Sequence, residues 1–253
     1  MAFTPDYRTW SGAPSVAGTQ AIDAGLRAYM LRVYNWMASG LLVTGIVAYG
    51  IANTTLINAF YEPSLNGIGF HPTGLAYLAM LAPLAFVLVL SFGVNKLSTQ
   101  AAQAIYWTFC AAMGASLTSI FITYASTSIV RTFFITAGTF AAMSAWGYVT
   151  KTDLTKFGSF LMMGLIGIVI ASLVNMFLGS AGLQFVISVI GVLVFVGLTA
   201  YDTQRIKSTY TQYAYADGPD QAGKRSVMDA LSLYLNFINL FMLILQLTGT
   251  RRD

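Results

Sequence analysis

The chemistry-bearing residues of this chain stand out because so few of its residues carry charge. Asp202 follows Gly197-Leu198-Thr199-Ala200-Tyr201 at the end of a long run that contains no Asp, Glu, Lys or Arg. A carboxylate at membrane depth is costly to hold and marks an ion path, a proton relay or a buried ion pair. The competing reading is an interfacial aspartate that pairs with Arg205 or caps the loop after it. A second feature lies nearer the C-terminus. Asp229, Ser232, Asn236, Asn239 and Gln246 are spaced by three, four, three and seven residues. Those intervals put all five on one helical face, while the rest of that segment is Leu, Phe, Ile and Met. Such a stripe turns toward protein or water rather than lipid. It either joins helices by hydrogen bonds, each worth on the order of 0.6 kcal/mol, or lines a path for ions. Lys96, which closes another apolar run, is the third candidate. It either pairs with Asp202 or is simply a cation that fixes orientation.

Little else in the chain could react. The single histidine, His71, precedes Pro72 in an expected loop that also holds Glu62. No HExxH, cysteine cluster, GxSxG or glycine-rich nucleotide loop occurs. The lone cysteine, Cys110, falls inside an apolar run, and Asp217-Gly218-Pro219-Asp220 is a turn without the spacing of a calcium-binding loop. These observations predict no enzyme, no resident metal and no cofactor.

The elements that must position these residues follow from composition. Hydrophobic residues make up 57% of the 253 and charged residues 9%, far below the roughly 25% charged of soluble domains. Uncharged runs extend over Val33–Tyr61, Pro63–Asn95, Leu97–Val130, Thr132–Thr150, Phe157–Tyr201 and Ala230–Thr250. A helix needs about 20 apolar residues to cross the hydrocarbon, so each run supplies a crossing. Phe157–Tyr201 is long enough for two, and Gly179-Ser180-Ala181-Gly182 breaks it. The expectation is therefore an all-α integral membrane protein with seven spans, over 33–57, 73–95, 102–125, 132–150, 157–178, 183–204 and 228–248. Stretches such as Leu161–Val174 lack the period-two alternation of a membrane barrel strand.

Cytoplasmic segments carry excess Lys and Arg. With the N-terminus inside, ten of the 13 basic residues fall on the cytoplasmic side, and only Arg131, Arg251 and Arg252 fall outside. Residues 1–28 then form a cytoplasmic tail, and 29–250 form the membrane domain. The tail has no apolar centre of the kind a cleavable signal needs. The net charge of +4 is explained by this topology and gives no reason to expect nucleic acid.

Several of these segments together resemble a known family. Gly197-Leu198-Thr199-Ala200-Tyr201-Asp202-Thr203-Gln204 is similar to the sixth-span motif of the transmembrane Bax inhibitor motif family, and Ala230-Leu231-Ser232-Leu233-Tyr234-Leu235-Asn236-Phe237-Ile238-Asn239 to its seventh-span motif. Gly147–Leu154 and Gly158–Gly167 resemble bacterial YccA-like members. The resemblance covers residues 22–250. It implies a seven-helix bundle with the seventh helix central, a calcium leak controlled by pH, and a bacterial inner-membrane location. It also implies a proton-sensing pair of aspartates from the sixth and seventh spans, with a basic latch from the second. Asp202 matches the first aspartate and Lys96 lies near the latch, but Asn236 occupies the place of the second aspartate. Asn forms hydrogen bonds but does not titrate. Two function classes follow: a passive leak for calcium or other cations, and a non-conducting regulator of a membrane-anchored AAA protease that would contact the charged residues 1–32.

Overall fold

A computed structural model describes residues 16–63, 70–93, 97–213 and 218–252. Helix α1 (Val16–Ala52) leads through a single turn, α2 (Ile57–Phe60), into a hairpin of β1 (Tyr61–Pro63) and β2 (Phe70–Pro72). There Glu62 sits opposite His71 in antiparallel register. Helices α3 (Gly74–Gly93), α4 (Thr99–Ser116), α5 (Thr118–Thr123), α6 (Ser126–Val149), α7 (Thr155–Leu178), α8 (Ala181–Tyr213) and α9 (Pro219–Thr248) follow.

Six of these segments are long and apolar enough to cross a membrane: those beginning at Asp23, Thr99, Ser126, Thr155, Ala181 and Asp220. The second expected span, 73–95, corresponds to α3. Its described apolar stretch, Gly74–Leu90, is shorter than the other six and contains Pro83. Seventeen residues of helix reach about 25 Å, against roughly 30 Å of hydrocarbon. The third expected span is one hydrophobic run but two helices. The backbone turns at Leu117, whose N–H bonds back to the carbonyl of Met113.

Helix ends differ from the expected span ends because hydropathy marks where the hydrocarbon stops, not where the helix does. Helix α1 begins at Val16, well before residue 33. Helix α8 continues past residue 204 through Arg205, Lys207 and Ser208 to Tyr213. Helix α9 starts at Pro219, where proline at the first turn loses no hydrogen bond. The turn expected at Gly179–Gly182 is present. Gly179 adopts φ of 62°, the left-handed conformation that glycine tolerates, and Asn175 accepts a bond from the N–H of Ser180 at 3.0 Å.

Helix α9 packs against α8, α1, α6 and α4, and 67% of its apolar window is buried. Helix α7 packs mainly on α8, and only 11% of its window is buried. Helices α1 and α6 both pack on α9 but hardly touch each other. The largest cluster of buried side chains joins Tyr106, Phe109, Leu233, Tyr234 and Leu245. Within it, Thr44 Oγ1 and the Tyr234 hydroxyl lie 2.7 Å apart, which ties α1 to α9.

Candidate functional site

Asp202 is held at depth by small residues. A side chain at Gly147 of α6 would come within 2.3 Å of the Ala200 carbonyl oxygen, so only glycine permits that approach of α6 to α8. One turn earlier on α8, a side chain at Gly197 would meet the tip of the Leu161 side chain of α7 at 2.8 Å. Close backbone approach through small residues is the usual packing device where lipid removes the hydrophobic drive between helices. Here it brings three helices together around residues 197–203.

The Asp202 side chain is buried, and both carboxylate oxygens are engaged. Asn236 Nδ2 of α9 donates to Oδ2 at 2.7 Å. Arg205, one turn further along α8, places Nη2 at 3.0 Å from Oδ1, and the same nitrogen donates to Ser232 Oγ at 3.3 Å. Asp202, Arg205, Ser232, Asn236 and Asn239 line one cavity of about 480 Å³, with Met162 and Leu165 of α7 on its apolar wall. One carboxylate, two carboxamides and a hydroxyl converge on it. That set offers a cation a few oxygen contacts rather than a full cage. The Arg205 guanidinium neutralises the carboxylate in this arrangement and must move before a cation can take its place.

The cavity gathers three members of the seventh-span stripe: Ser232, Asn236 and Asn239. Asn239 is exposed there and returns its amide to the carbonyl of Leu235 at 2.9 Å. The ends of the stripe face elsewhere. Asp229 accepts from the Tyr29 hydroxyl of α1 at 2.7 Å. Gln246 accepts from Gln184 Nε2 at 2.8 Å and from Ser188 Oγ at 3.1 Å, both on α8. The stripe is therefore interhelical adhesive at its two ends and a cavity wall in the middle. Lys96 lies outside the described residues, and the cation on Asp202 is Arg205.

Two groups of contacts escape a reading of the sequence. Ser144 of α6 lies 2.5 Å from the Tyr34 hydroxyl of α1 and 2.9 Å from Thr203 Oγ1 of α8, a polar chain that starts beside Asp202. Gln204 clamps the α6–α7 loop: its Nε2 donates to the Thr152 carbonyl at 2.7 Å, and its Oε1 accepts from the Leu154 N–H at 2.8 Å. In the same loop, hydrogen bonds from Thr155 hold the Asp153 carboxyl below its ordinary pKa. Single hydroxyls in apolar runs give no periodic signal. The i, i+3 spacing of Asp202 and Arg205, which puts both on one face of a helix, is legible in the sequence.

Residues 26–253 match the family model described as inhibitor of apoptosis-promoting Bax1. The chain belongs to the Bax inhibitor family. It is 45% identical to the inner membrane protein YbhL of Escherichia coli over 230 residues, covering 90% of this chain and 94% of that protein. An uncharacterized protein of Rickettsia prowazekii is also 45% identical, over 92% of this chain and 94% of its own length. An uncharacterized membrane protein of Streptococcus pyogenes is 36% identical over 90% and 94%. The Asp202–Asn236 contact thus lies within the matched region of an integral membrane protein of this family.

Proposed function

We propose that this Bax inhibitor family member is a passive cation leak, with calcium as the permeant ion, in a bacterial inner membrane. The observation that carries the reading is the buried Asp202 carboxylate on the wall of a cavity shared with Ser232 and Asn239, held by Asn236 and countered by Arg205. Helix α3 supplies the seventh crossing, with its short apolar stretch extended by flanking residues, and α9 stands at the middle of the bundle. Release of Arg205 from Asp202 opens the path, and proton uptake by the carboxylate is one way to weaken that pair. Similarity to the inner membrane protein YbhL and the basic residues of α1 and α8 support an inner membrane with the N-terminus in the cytoplasm.

The test is calcium entry into proteoliposomes that contain only the purified protein and an entrapped dye. Entry is expected, and Asp202→Asn should change its rate while the protein remains folded and inserted. Vesicles that stay sealed over the accessible pH range would overturn the leak. Sealed vesicles together with a co-purifying membrane AAA protease would favour the regulator. Orientation is tested separately in intact cells: in a Cys110→Ala background, Gln221→Cys should resist an impermeant thiol reagent and Arg251→Cys should react.

A further inference from the structure

The fissure between α1 and α6 is built differently from the Asp202 cavity. Two cavities lie along it, of about 650 Å³ and 340 Å³, and both are lined by Leu41, Phe133 and Phe237. Together they run beside α1 from Arg27 to Ala48. Twenty-one residues of helix rise about 32 Å, close to the full hydrocarbon thickness. The larger cavity extends from Arg27 to Leu41, about 21 Å of rise, enough for a chain that enters from one leaflet. The space exists because facing positions are small: Ala38 on α1, and Ala137, Ala141 and Ala145 on α6. Its rim is apolar and exposed, with Leu31 at 57% and Val149 at 73%, so it opens sideways to lipid. Its floor is Phe237 of α9, which packs edge-on against Phe133 and Phe140.

Charge is confined to one end. Arg27 lines the larger cavity at its mouth, is exposed, and forms no ion pair among the described residues. Tyr148 lines the same cavity. The Lys207 ammonium lies 5.0 Å from the centre of its ring and donates to its carbonyl at 2.8 Å. An apolar slot of this length with cations at a single mouth complements a molecule with an anionic head and a long apolar tail.

We infer that the α1–α6 fissure is a binding site for one anionic phospholipid, with its phosphate at Arg27 and an acyl chain in the larger cavity against Phe237. This site does not depend on conduction, because lipid retention is measured on protein that need not carry ions. Phe237 follows Asn236 directly on α9, so the bound chain would lie against the flank of the helix beside the Asn236–Asp202 contact.

The test is native mass spectrometry of the full chain in detergent, given equal amounts of palmitoyl-oleoyl phosphatidylglycerol and phosphatidylcholine. One retained phosphatidylglycerol is expected, favoured by about fivefold, the scale of one basic residue near a membrane surface. Arg27→Gln should bring the two lipids close to parity without reducing total lipid. Ala141→Trp should fill the slot and remove the retained lipid of both kinds. Ala38→Trp does the same from the opposite wall and serves if the first variant misfolds. Parity in the natural protein, or a preference that survives Arg27→Gln, would overturn the assignment. So would full lipid retention in both tryptophan variants. Displacement of the phospholipid by oleate with the same Arg27 dependence would identify a free fatty acid instead and would also defeat it.

Discussion

Helices α7 and α9 are neighbours of α8, similar in length and both strongly apolar, yet they live in different solvents. Helix α7 shows its Phe, Met and Ile side chains to lipid, with Phe177 at 85% exposure. Helix α9 buries Leu233, Leu240 and Leu245 completely. In water the more apolar helix would be the buried one. In a bilayer, lipid tails satisfy an apolar surface as well as protein does. What sorts the two helices is polarity: α9 carries Ser232, Asn236 and Gln246, and each finds a partner on α8. The helix that needs protein contacts most goes to the interior.

The contrast is sharpest in stability. Leu240→Ala removes a fully buried side chain from α9 and should cost about 2–5 kcal/mol. Phe177→Ala removes a larger side chain from α7 and should change stability by no more than about 0.5 kcal/mol. Thermal unfolding of both variants in one detergent decides the matter, and equal losses would break the distinction.

A smaller effect concerns proton response. Asn236→Asp puts a second carboxylate against Asp202, and two such groups in contact titrate as a unit. Calcium flux through this variant should vary more steeply between about pH 6 and pH 8 than flux through the natural protein. Superimposable profiles would mean that positions 202 and 236 do not act together. The smallest effect belongs to Asn239→Ala. That amide is exposed and bonds only within its own helix among the described residues, so its loss should stay within about 0.5 kcal/mol. A cost like that of Leu240→Ala would show that the cavity wall is also a packing surface.

Much of this architecture was legible in the charge-free runs and in the Gly179 break, because both report directly on hydrocarbon and on turn conformation. The Asp202–Asn236 pairing was legible as well, through motif resemblance and the helical spacing of the α9 stripe. The extent of α8 to Tyr213 was not, since Arg205 and Lys207 end a hydropathy run without ending a helix. The division of the stripe is not legible there either. Spacing places Asp229 and Gln246 on the face of Asn236, but only the neighbours decide that Tyr29 takes one and Gln184 the other. The break at Leu117 has only Gly114 and Ser116 as a local sign, inside a run with no Pro.

The far end of α9 has a fixed anchorage. Beyond Gly249, the Thr250 carbonyl accepts from the N–H of Ala125 at 3.0 Å. The N–H of Thr250 donates to Ser128 Oγ at 3.1 Å, and that of Arg252 to the Thr123 carbonyl at 2.9 Å. A piston stroke of α9 by one helical turn, about 5.4 Å, would break all three. The three bonds therefore fix α9 along its axis, and with it the level at which Asn236, about 20 Å from Gly249, meets Asp202.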